Sequence, residues 1–203
     1  MAAFGPKDTE TNMHSKISLS AIALAAGFAI AAPLAIAPVY AAMTVMVGGA
    51  PMYPTKNIVE NAVNSKDHTT LVAAVKAAGL VDTLEGPGPF TVFAPTNEAF
   101  AALPKGTVET LLKPENKDKL TAILTYHVVP GHMTAADIAG KIDEMGGKLT
   151  LKTVQGEDLT IERMGKSALT VTDAKGDVAR ITIPDVLQSN GVIHVVDKVL
   201  IPG

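Results

Sequence analysis

The 203-residue sequence contains no cysteine and no tryptophan, and only 4% of its residues are aromatic. Without cysteine the chain can form no disulfide and no thiolate metal site, and it cannot carry the lipid of a bacterial lipoprotein. The scarcity of aromatic rings leaves few surfaces on which bases or sugars could stack. The formal net charge is −3, so no basic surface for nucleic acid or for an anionic membrane is expected.

The first 41 residues have the pattern of an export signal. Residues 17–37 are apolar apart from two serines, Lys16 precedes them, and small residues follow at Ala41 and Ala42. A basic start, an apolar middle and a small-residue end are typical of a secretory signal peptide. We therefore expect cleavage after Ala41, a secreted or periplasmic product and no stable membrane anchor after cleavage.

Two features of this leader allow other interpretations. A retained membrane anchor is the alternative to cleavage, because the apolar run is long enough to span a bilayer. Pro33 and Pro38 disfavour a straight helix there and favour cleavage. Acidic residues at Asp8 and Glu10 are unexpected ahead of a signal peptide, whereas Met13 begins a better one. We expect Met13 to be the natural start.

Residues 42–56 are rich in glycine and proline and are interpreted as a flexible linker. After them the hydrophobic spacing predicts helices first and strands later, which indicates one α+β domain over residues 57–203. Helices are expected over 57–64, from Asp67 to Gly79, over 81–84 and 96–103, from Thr107, from Pro114 towards 125, and from Thr134 to Glu144. A strand is expected over 90–94, and alternating runs predict an antiparallel meander over 148–153, 159–163, 168–172, 178–183 and 192–201.

Candidate catalytic residues do not form a recognisable group. His68, His127, His132 and His194 show no spacing typical of a metal site. Ser189 lies in a Gln-Ser-Asn-Gly segment that is not a nucleophile elbow. The sequence therefore predicts a non-enzymatic protein with no catalytic residue, no cofactor and no metal.

Three segments are more specific than the fold requires. They are Thr91-Val-Phe-Ala-Pro-Thr-Asn-Glu-Ala-Phe100, Leu124-Thr-Tyr-His-Val-Val-Pro-Gly131 and Asn190-Gly-Val-Ile-His-Val-Val-Asp-Lys-Val-Leu-Ile-Pro202. In this order and at these separations, the sequence resembles the two conserved boxes and the central Tyr-His motif of the fasciclin (FAS1) domain. The resemblance extends from about Asn57 to Pro202.

This resemblance implies a fold and a class of function. It implies a helical layer packed on a small twisted antiparallel β-sandwich, without enzymatic activity. It also implies a bacterial single-domain adhesion module that binds a cell-surface or matrix protein or polysaccharide, with a link to surface attachment and biofilm. A periplasmic structural or envelope-stress protein without a dedicated ligand is the alternative. A small-molecule or metal binder using His68, His132, Met133 or the N-terminal methionines is a third hypothesis.

The resemblance also implies two partner-binding patches. One is the Tyr-His motif with its aliphatic neighbours, and the other is an Asp-Val pair where the family has Asp-Ile; in this sequence they comprise Leu124, Tyr126, His127, Val128 and Val129, and Asp185 and Val186. A structural role is the alternative for each patch. If residues 126–129 form a strand, alternate side chains point inward, and a buried His127 must have hydrogen-bonded ring nitrogens. Asp185 is expected in an exposed loop, and Asn97 as a helix cap.

Overall fold

The computed structural model describes residues 44–165 and 168–203. Its helices occupy mainly the first half of this range. They are α1 (Ile58–Ala62), α2 (Thr69–Ala78), α3 (Val81–Glu85), α4 (Asn97–Ala101), α5 (Thr107–Leu111), α6 (Lys117–Tyr126) and α7 (Ala135–Glu144). Short 3-10 turns at Lys66–His68 and Pro114–Asn116 lead into α2 and α6. The expected helix over residues 134–144 is confirmed in α7.

Local sequence signals explain where these helices begin and end. The side chain of Thr134 accepts a hydrogen bond from the backbone of Asp137, and the Asp137 carboxylate accepts one from the backbone of Thr134, so α7 begins with a capping box. Gly79 ends α2 in the left-handed conformation, with φ of 72°. Asp67 was expected to cap α2, and this prediction is wrong because the cap comes from a distant side chain, Asn97, as described below.

The strands form a hairpin and one large sheet. The hairpin pairs β1 (Val45–Val47) with β2 (Ala50–Met52). The sheet has the order β4-β3-β9-β8-β7-β6-β5. Its strands are β3 (Phe90–Pro95), β4 (Val128–Pro130), β5 (Lys148–Lys152), β6 (Asp158–Met164), β7 (Ala168–Thr172), β8 (Val178–Gln188) and β9 (Gly191–Val196). All neighbours are antiparallel except β3 and β9, which pair in parallel.

Two large hydrophobic clusters pack the helices against the sheet, and a small third one contains Ala99, Phe100 and Val199. The first lies under α1, α2, α3 and α6, against β3 and β9, and includes Ala74, Leu124 and Val195. The second packs α7 against β5, β6 and β7, and includes Ile138 and Ile161. Val92 and Ala94 belong to the first cluster and Phe93 to the second, so the two clusters lie on opposite faces of β3. Helices together with a mostly antiparallel sheet confirm the predicted α+β class.

The N-terminal part of the described chain forms a packed hairpin and not a flexible linker. The interpretation of residues 42–56 as a flexible linker is wrong for residues 45–52, which form the β1–β2 hairpin. Val47 and Met52 from this hairpin are buried in the first cluster. Gly48 and Gly49 make the turn with φ of 59° and 76°, a backbone conformation that glycine adopts without strain. The glycines thus mark a tight turn here.

Candidate functional site

The Tyr-His motif lies where α6 ends and β4 begins. The prediction of an extended segment over residues 126–129 is wrong at its start, because Tyr126 is the last residue of α6 and His127 is its C-terminal cap. Strand geometry begins only at Val128. Since helix and strand place side chains by different rules, the expected alternation fails, and all four side chains from Tyr126 to Val129 are buried.

The Tyr126 ring joins α6 to the far half of the sheet. Its hydroxyl donates a hydrogen bond to the Asp158 carbonyl oxygen at 2.9 Å and accepts one from the Ala174 backbone N–H at 2.9 Å. Burial raises the pKa of this phenol, and the bond from Ala174 opposes that rise. The hydroxyl is thus occupied by the backbone, and it holds the β5–β6 and β7–β8 connections close to the helix.

The imidazole of His127 makes a second bridge, to the C-terminal segment. The Leu200 backbone N–H donates to Nε2 at 3.0 Å, and Nδ1 lies 2.8 Å from the Ile123 carbonyl oxygen. This pair of partners assigns the proton to Nδ1. Burial of the ring lowers the pKa of His127 to about 4, so the ring is neutral at pH 7. Both nitrogens are satisfied within the protein.

The aliphatic neighbours of the motif divide between the two clusters. Leu124 and Val128 belong to the first cluster, and Val129 belongs to the second. Leu124, His127 and Val128 also line an apolar cleft in the helical half of the domain. A partner touching the outside of the domain meets none of these side chains directly, because each is less than one tenth exposed.

Asp185 lies in an irregular part of β8 and not in a separate loop. The pairing of β8 with β9 shifts register on both sides of Ile183, and Asp185 takes the left-handed conformation with φ of 57°. Its Oδ1 accepts a hydrogen bond at 2.7 Å from the backbone N–H of Ala135, the first residue of α7. A carboxylate at a helix N-terminus also interacts favourably with the helix dipole. The next residue, Val186, is buried in the first cluster.

His194 holds the same corner from inside. The Asp185 backbone N–H donates to His194 Nδ1 at 3.3 Å, and His194 Nε2 donates to the Met133 carbonyl oxygen at 2.9 Å. The ring stacks on Phe93 with centroids 5.8 Å apart and has no exposed surface. Burial lowers the pKa of this imidazole. His194 therefore fixes the backbone of Asp185 and the approach to α7 together.

Two asparagines connect elements that are far apart in sequence. Asn97 caps α2 from the outside: its Oδ1 accepts from the Thr70 backbone N–H at 2.9 Å, and its Nδ2 donates to the Lys66 carbonyl oxygen at 2.8 Å. The cap of its own helix is Thr96. The cap interpretation of Asn97 is right in kind, but the helix that it caps could not be identified from spacing, because the contact is long-range.

Asn190 has the same kind of role in the first cluster. Its Oδ1 accepts from the Ile58 backbone N–H at 3.0 Å, and its Nδ2 donates to the carbonyl oxygens of Leu84 at 2.8 Å and Gly86 at 2.9 Å. One side chain thus caps the start of α1 and the end of α3. Asn190 lies in the turn between β8 and β9, and local sequence gives no signal for its three long-range bonds.

Replacing Tyr126 with phenylalanine is expected to lower the free energy of unfolding by about 1–3 kcal/mol, because the Ala174 N–H and the Asp158 carbonyl lose a buried partner. Urea unfolding followed by circular dichroism measures the change. Tyr53→Phe is the matched control, since Tyr53 is an exposed tyrosine and its variant should unfold like the parent. Equal stability of both variants would show that the Tyr126 hydroxyl is dispensable.

Across residues 44–165 and 168–203, every helix is too short or too polar to cross a membrane.

Comparison with known proteins gives consistent matches. A family model described as "Fasciclin domain" matches residues 66–202. Protein sll1483 from Synechocystis is 52% identical over 147 residues, which cover 71% of this chain and 73% of that protein. Immunogenic protein MPB70 from Mycobacterium bovis is 32% identical over 209 residues, which cover 94% of this chain and 99% of the relative. Human periostin is 34% identical over 148 residues, but this match covers only 16% of periostin.

A solved structure supports the fold. The FAS1 domain pair from the insect cell adhesion molecule Fasciclin I aligns with a TM-score of 0.64 at 19% sequence identity. The alignment covers 71% of this chain and 50% of the insect chain, so the chain spans half of that pair. At this identity the likeness is one of fold.

Proposed function

Because the chain belongs to the fasciclin (FAS1) family, we propose that it is an exported, non-enzymatic binding module that attaches to a partner on a cell surface or in a matrix. Its described part carries the family's fold, and one structural relative is named as a cell adhesion molecule. The partner is a surface or matrix protein or polysaccharide. The proposed location is secreted or periplasmic, and it depends on the export signal expected over residues 1–41, which lies outside the described residues.

The observation that carries the proposal is the surface at the irregular part of β8. Pro184 and Leu187 are exposed there, and Asp185 between them is partly exposed. The hydrogen bond from Ala135 occupies Oδ1, and within the described part of the chain Oδ2 accepts none. A fixed carboxylate beside an exposed leucine offers one charged and one apolar contact on a rigid backbone. Rigid presentation lowers the entropic cost of binding.

The Tyr-His patch enters this proposal in a different way. Tyr126, Val129 and Val186 are buried in the observed conformation, so their proposed contribution to binding is to hold the surface in place. Leu124, His127 and Val128 line the apolar cleft, and a partner would reach them only through it. The direct contacts that we propose are therefore those of Asp185 and its exposed neighbours.

Asp185→Asn is the substitution that tests this surface. Asparagine tolerates the left-handed conformation and retains an oxygen for the Ala135 N–H, while the charge is lost. We expect retention of the purified protein on immobilised envelope or matrix fractions to fall about tenfold, the size expected for a lost hydrogen bond to a charged group. The measurement is the apparent affinity in a surface binding assay.

Asp197→Asn is a closely matched control. The Asp197 Oδ1 accepts from the Arg180 backbone N–H at 2.7 Å, the same distance as the bond to Asp185, and the residue is exposed. This variant should bind like the parent. If both variants bind equally, the proposed contact at Asp185 is wrong, and if the parent itself binds neither fraction, the attachment function is wrong.

A further inference from the structure

The helical half of the domain contains an apolar cleft with a volume of about 90 Å³. It lies between α1, α2 and α3 on one side and β3 and β9 on the other. Its walls are almost entirely hydrocarbon, with Val72, Leu80, Val81, Phe90, Leu124 and Val195 among them. We refer to this feature as the apolar cleft. No described β8 residue lines it, so it is independent of the β8 surface proposed as the attachment site.

The apolar cleft opens to solvent along hydrophobic side chains. Val72, Leu80 and Val81 are only partly buried, and Val154, which also lines the cleft, is 47% exposed. Val154 is held there by two backbone hydrogen bonds of its turn, from Val154 N–H to the Val128 carbonyl and from Gln155 N–H to the Thr125 carbonyl. A fixed rim of exposed hydrocarbon around a concave site is typical of a ligand-binding cleft.

Among the described residues, one buried polar atom in the cleft lining has no hydrogen-bond partner. This atom is Nε2 of His68, a residue that is 2% exposed, and it makes no hydrogen bond within the described residues. The Nδ1 atom lies 2.8 Å from Ser65 Oγ. Burial lowers the pKa of His68, and the nearby Ala94 carbonyl opposes part of that lowering. This carbonyl forms no hydrogen bond of normal geometry with Nε2.

The tautomer of His68 follows from counting donors. If the Ser65 hydroxyl donates to Nδ1, the ring proton is on Nε2 and one donor is unpaired. If Nδ1 carries the proton, both the Ser65 hydroxyl proton and Nε2 lack a partner. The first arrangement leaves fewer buried groups unsatisfied, and each such group costs about 1–3 kcal/mol. Within the described residues, the His68 ring that lines the cleft therefore carries an N–H donor without a partner of normal geometry, and a ligand with an acceptor oxygen would satisfy it.

We propose that the apolar cleft binds a neutral, single-chain lipid that ends in a carbonyl or hydroxyl oxygen, with this oxygen accepting a hydrogen bond from His68 Nε2. One water molecule needs about 10–15 Å³ of cavity volume, so the 90 Å³ of the apolar cleft holds roughly six to nine groups of the size of water. A methylene group is similar in size to a water molecule. The cleft thus fits a chain of medium length.

The charge at the rim identifies the competing ligand. Lys76 lines the cleft from α2, eight residues after His68, or about 12 Å along the helix. It could attract a carboxylate, which would place a fatty acid head at the rim and leave Nε2 without a partner. We favour the neutral lipid because an exposed lysine gains little from an ion pair in water, whereas a buried unpaired donor gains more from a partner.

The test uses the purified protein and 2-octanone, with nuclear magnetic resonance of the histidine side chains and calorimetry. We expect saturable binding that shifts the His68 Nε2 and its proton, while the signals of His132 stay unchanged. Val72→Phe, which fills the cleft, should weaken binding at least tenfold. Val178→Phe changes an exposed valine in β8 and should bind like the parent.

A second measurement isolates the hydrogen bond. In 2-methyl-1-octene a CH₂ group replaces the oxygen of 2-octanone. The affinity for 2-octanone divided by that for 2-methyl-1-octene should be about fivefold lower in His68→Leu than in the parent, the size expected for one lost hydrogen bond. The same ratio should be unchanged in His132→Leu.

Three outcomes would overturn the proposal. One is the absence of saturable ketone binding to the parent protein, and another is equal binding by Val72→Phe. The third is tighter binding of octanoate than of the ketone, with that advantage lost in Lys76→Gln, which would identify a carboxylate at the rim as the ligand group. If His68→Leu fails to fold, the parent protein decides: a shift of the His68 Nε2 signal on ketone binding supports the hydrogen bond, and binding without that shift contradicts it.

Discussion

Replacing Gly191 with alanine is expected to lower the free energy of unfolding by about 3 kcal/mol, at the upper end of the usual cost of overpacking. A Cβ atom at this position would lie 2.1 Å from the Phe90 carbonyl oxygen and 3.0 Å from the Phe90 backbone nitrogen. These are backbone atoms of the neighbouring parallel strand, so no side chain can move aside. The start of β9 must separate from β3, and the Phe90 N–H to Asn190 carbonyl bond at 3.1 Å is strained or lost.

Gly140→Ala is the control for this prediction. Gly140 lies within α7, its backbone φ is not positive, and nothing lies within 4 Å of an added Cβ. Alanine in a helix interior is favoured over glycine by about 0.5–1 kcal/mol, so this variant should be slightly more stable. Urea unfolding of both proteins gives the comparison. A Gly191→Ala protein that is as stable as the parent would show that the two strands can separate without cost.

The loss at Gly191 should spread to the helical layer, because the preceding residue anchors it. Asn190 bonds to the backbone of Ile58, Leu84 and Gly86, so a displaced β9 start moves the cap of α1 and the end of α3. The Asn-Gly pair therefore combines two requirements. The asparagine supplies three hydrogen bonds, and the glycine lets two parallel backbones meet.

Features that depend on local sequence could be predicted. The alternating runs that became β5, β6 and β7 were identified, and eight residues of the meander were expected to face inward. Six of them are buried, namely Leu149, Leu151, Leu159, Ile161, Leu169 and Val171, whereas Ile181 and Ile183 are only partly buried. The capping box of Thr134 and the glycine stop at Gly79 were found for the same reason. In each case the signal and the structure that it specifies lie within a few residues.

Features that depend on long-range contacts could not be predicted. The parallel pairing of β3 with β9 joins residues about 100 positions apart, and nothing in either strand specifies its partner. The hairpin at residues 45–52 was interpreted as a linker because its glycines and prolines are equally typical of flexible chain, and only the burial of Val47 and Met52 distinguishes the two. The Asp185 position was expected in a loop because Pro184 is unusual in a strand, but a proline is tolerated where pairing is irregular.

The candidate site shows the same division. The resemblance identified Tyr126, His127 and Asp185 as special, and all three have specific hydrogen bonds to distant backbone. Which of them a partner can reach depends on burial, and Tyr126 and His127 at the end of α6 are buried. A motif can therefore mark residues that hold the fold together as well as residues that bind, and only the contacts separate the two roles.

Acid is expected to destabilise this protein from about pH 6.5 downward, because His68, His127 and His194 are buried and neutral. Burial lowers the pKa of each of the three imidazoles below the ordinary value of 6.5. In the unfolded chain each ring takes up a proton near pH 6.5, whereas the folded protein resists that proton. The stability from these groups is therefore complete above about pH 7 and falls as the pH falls below about 6.5.

The magnitude can be stated for His127. Its pKa in the folded protein is about 4, so the shift from 6.5 corresponds to about 3 kcal/mol, lost between pH 6.5 and 4. The other two histidines add losses of the same sign. Because small domains are stable by about 5–15 kcal/mol, the total is a substantial fraction of the stability of the fold.

Urea unfolding at a series of pH values from 7.5 to 4.5 tests this directly, since the slope of the unfolding free energy against pH counts the protons taken up on unfolding. His127→Leu should lower that count by about one proton, whatever its effect on stability at pH 7.5. Gly140→Ala, which keeps every histidine, is the control and should leave the count unchanged. A slope that stays the same in the His127 variant would mean that this ring is protonated, or free to become so, in the folded protein, and its two backbone hydrogen bonds would then not hold it neutral.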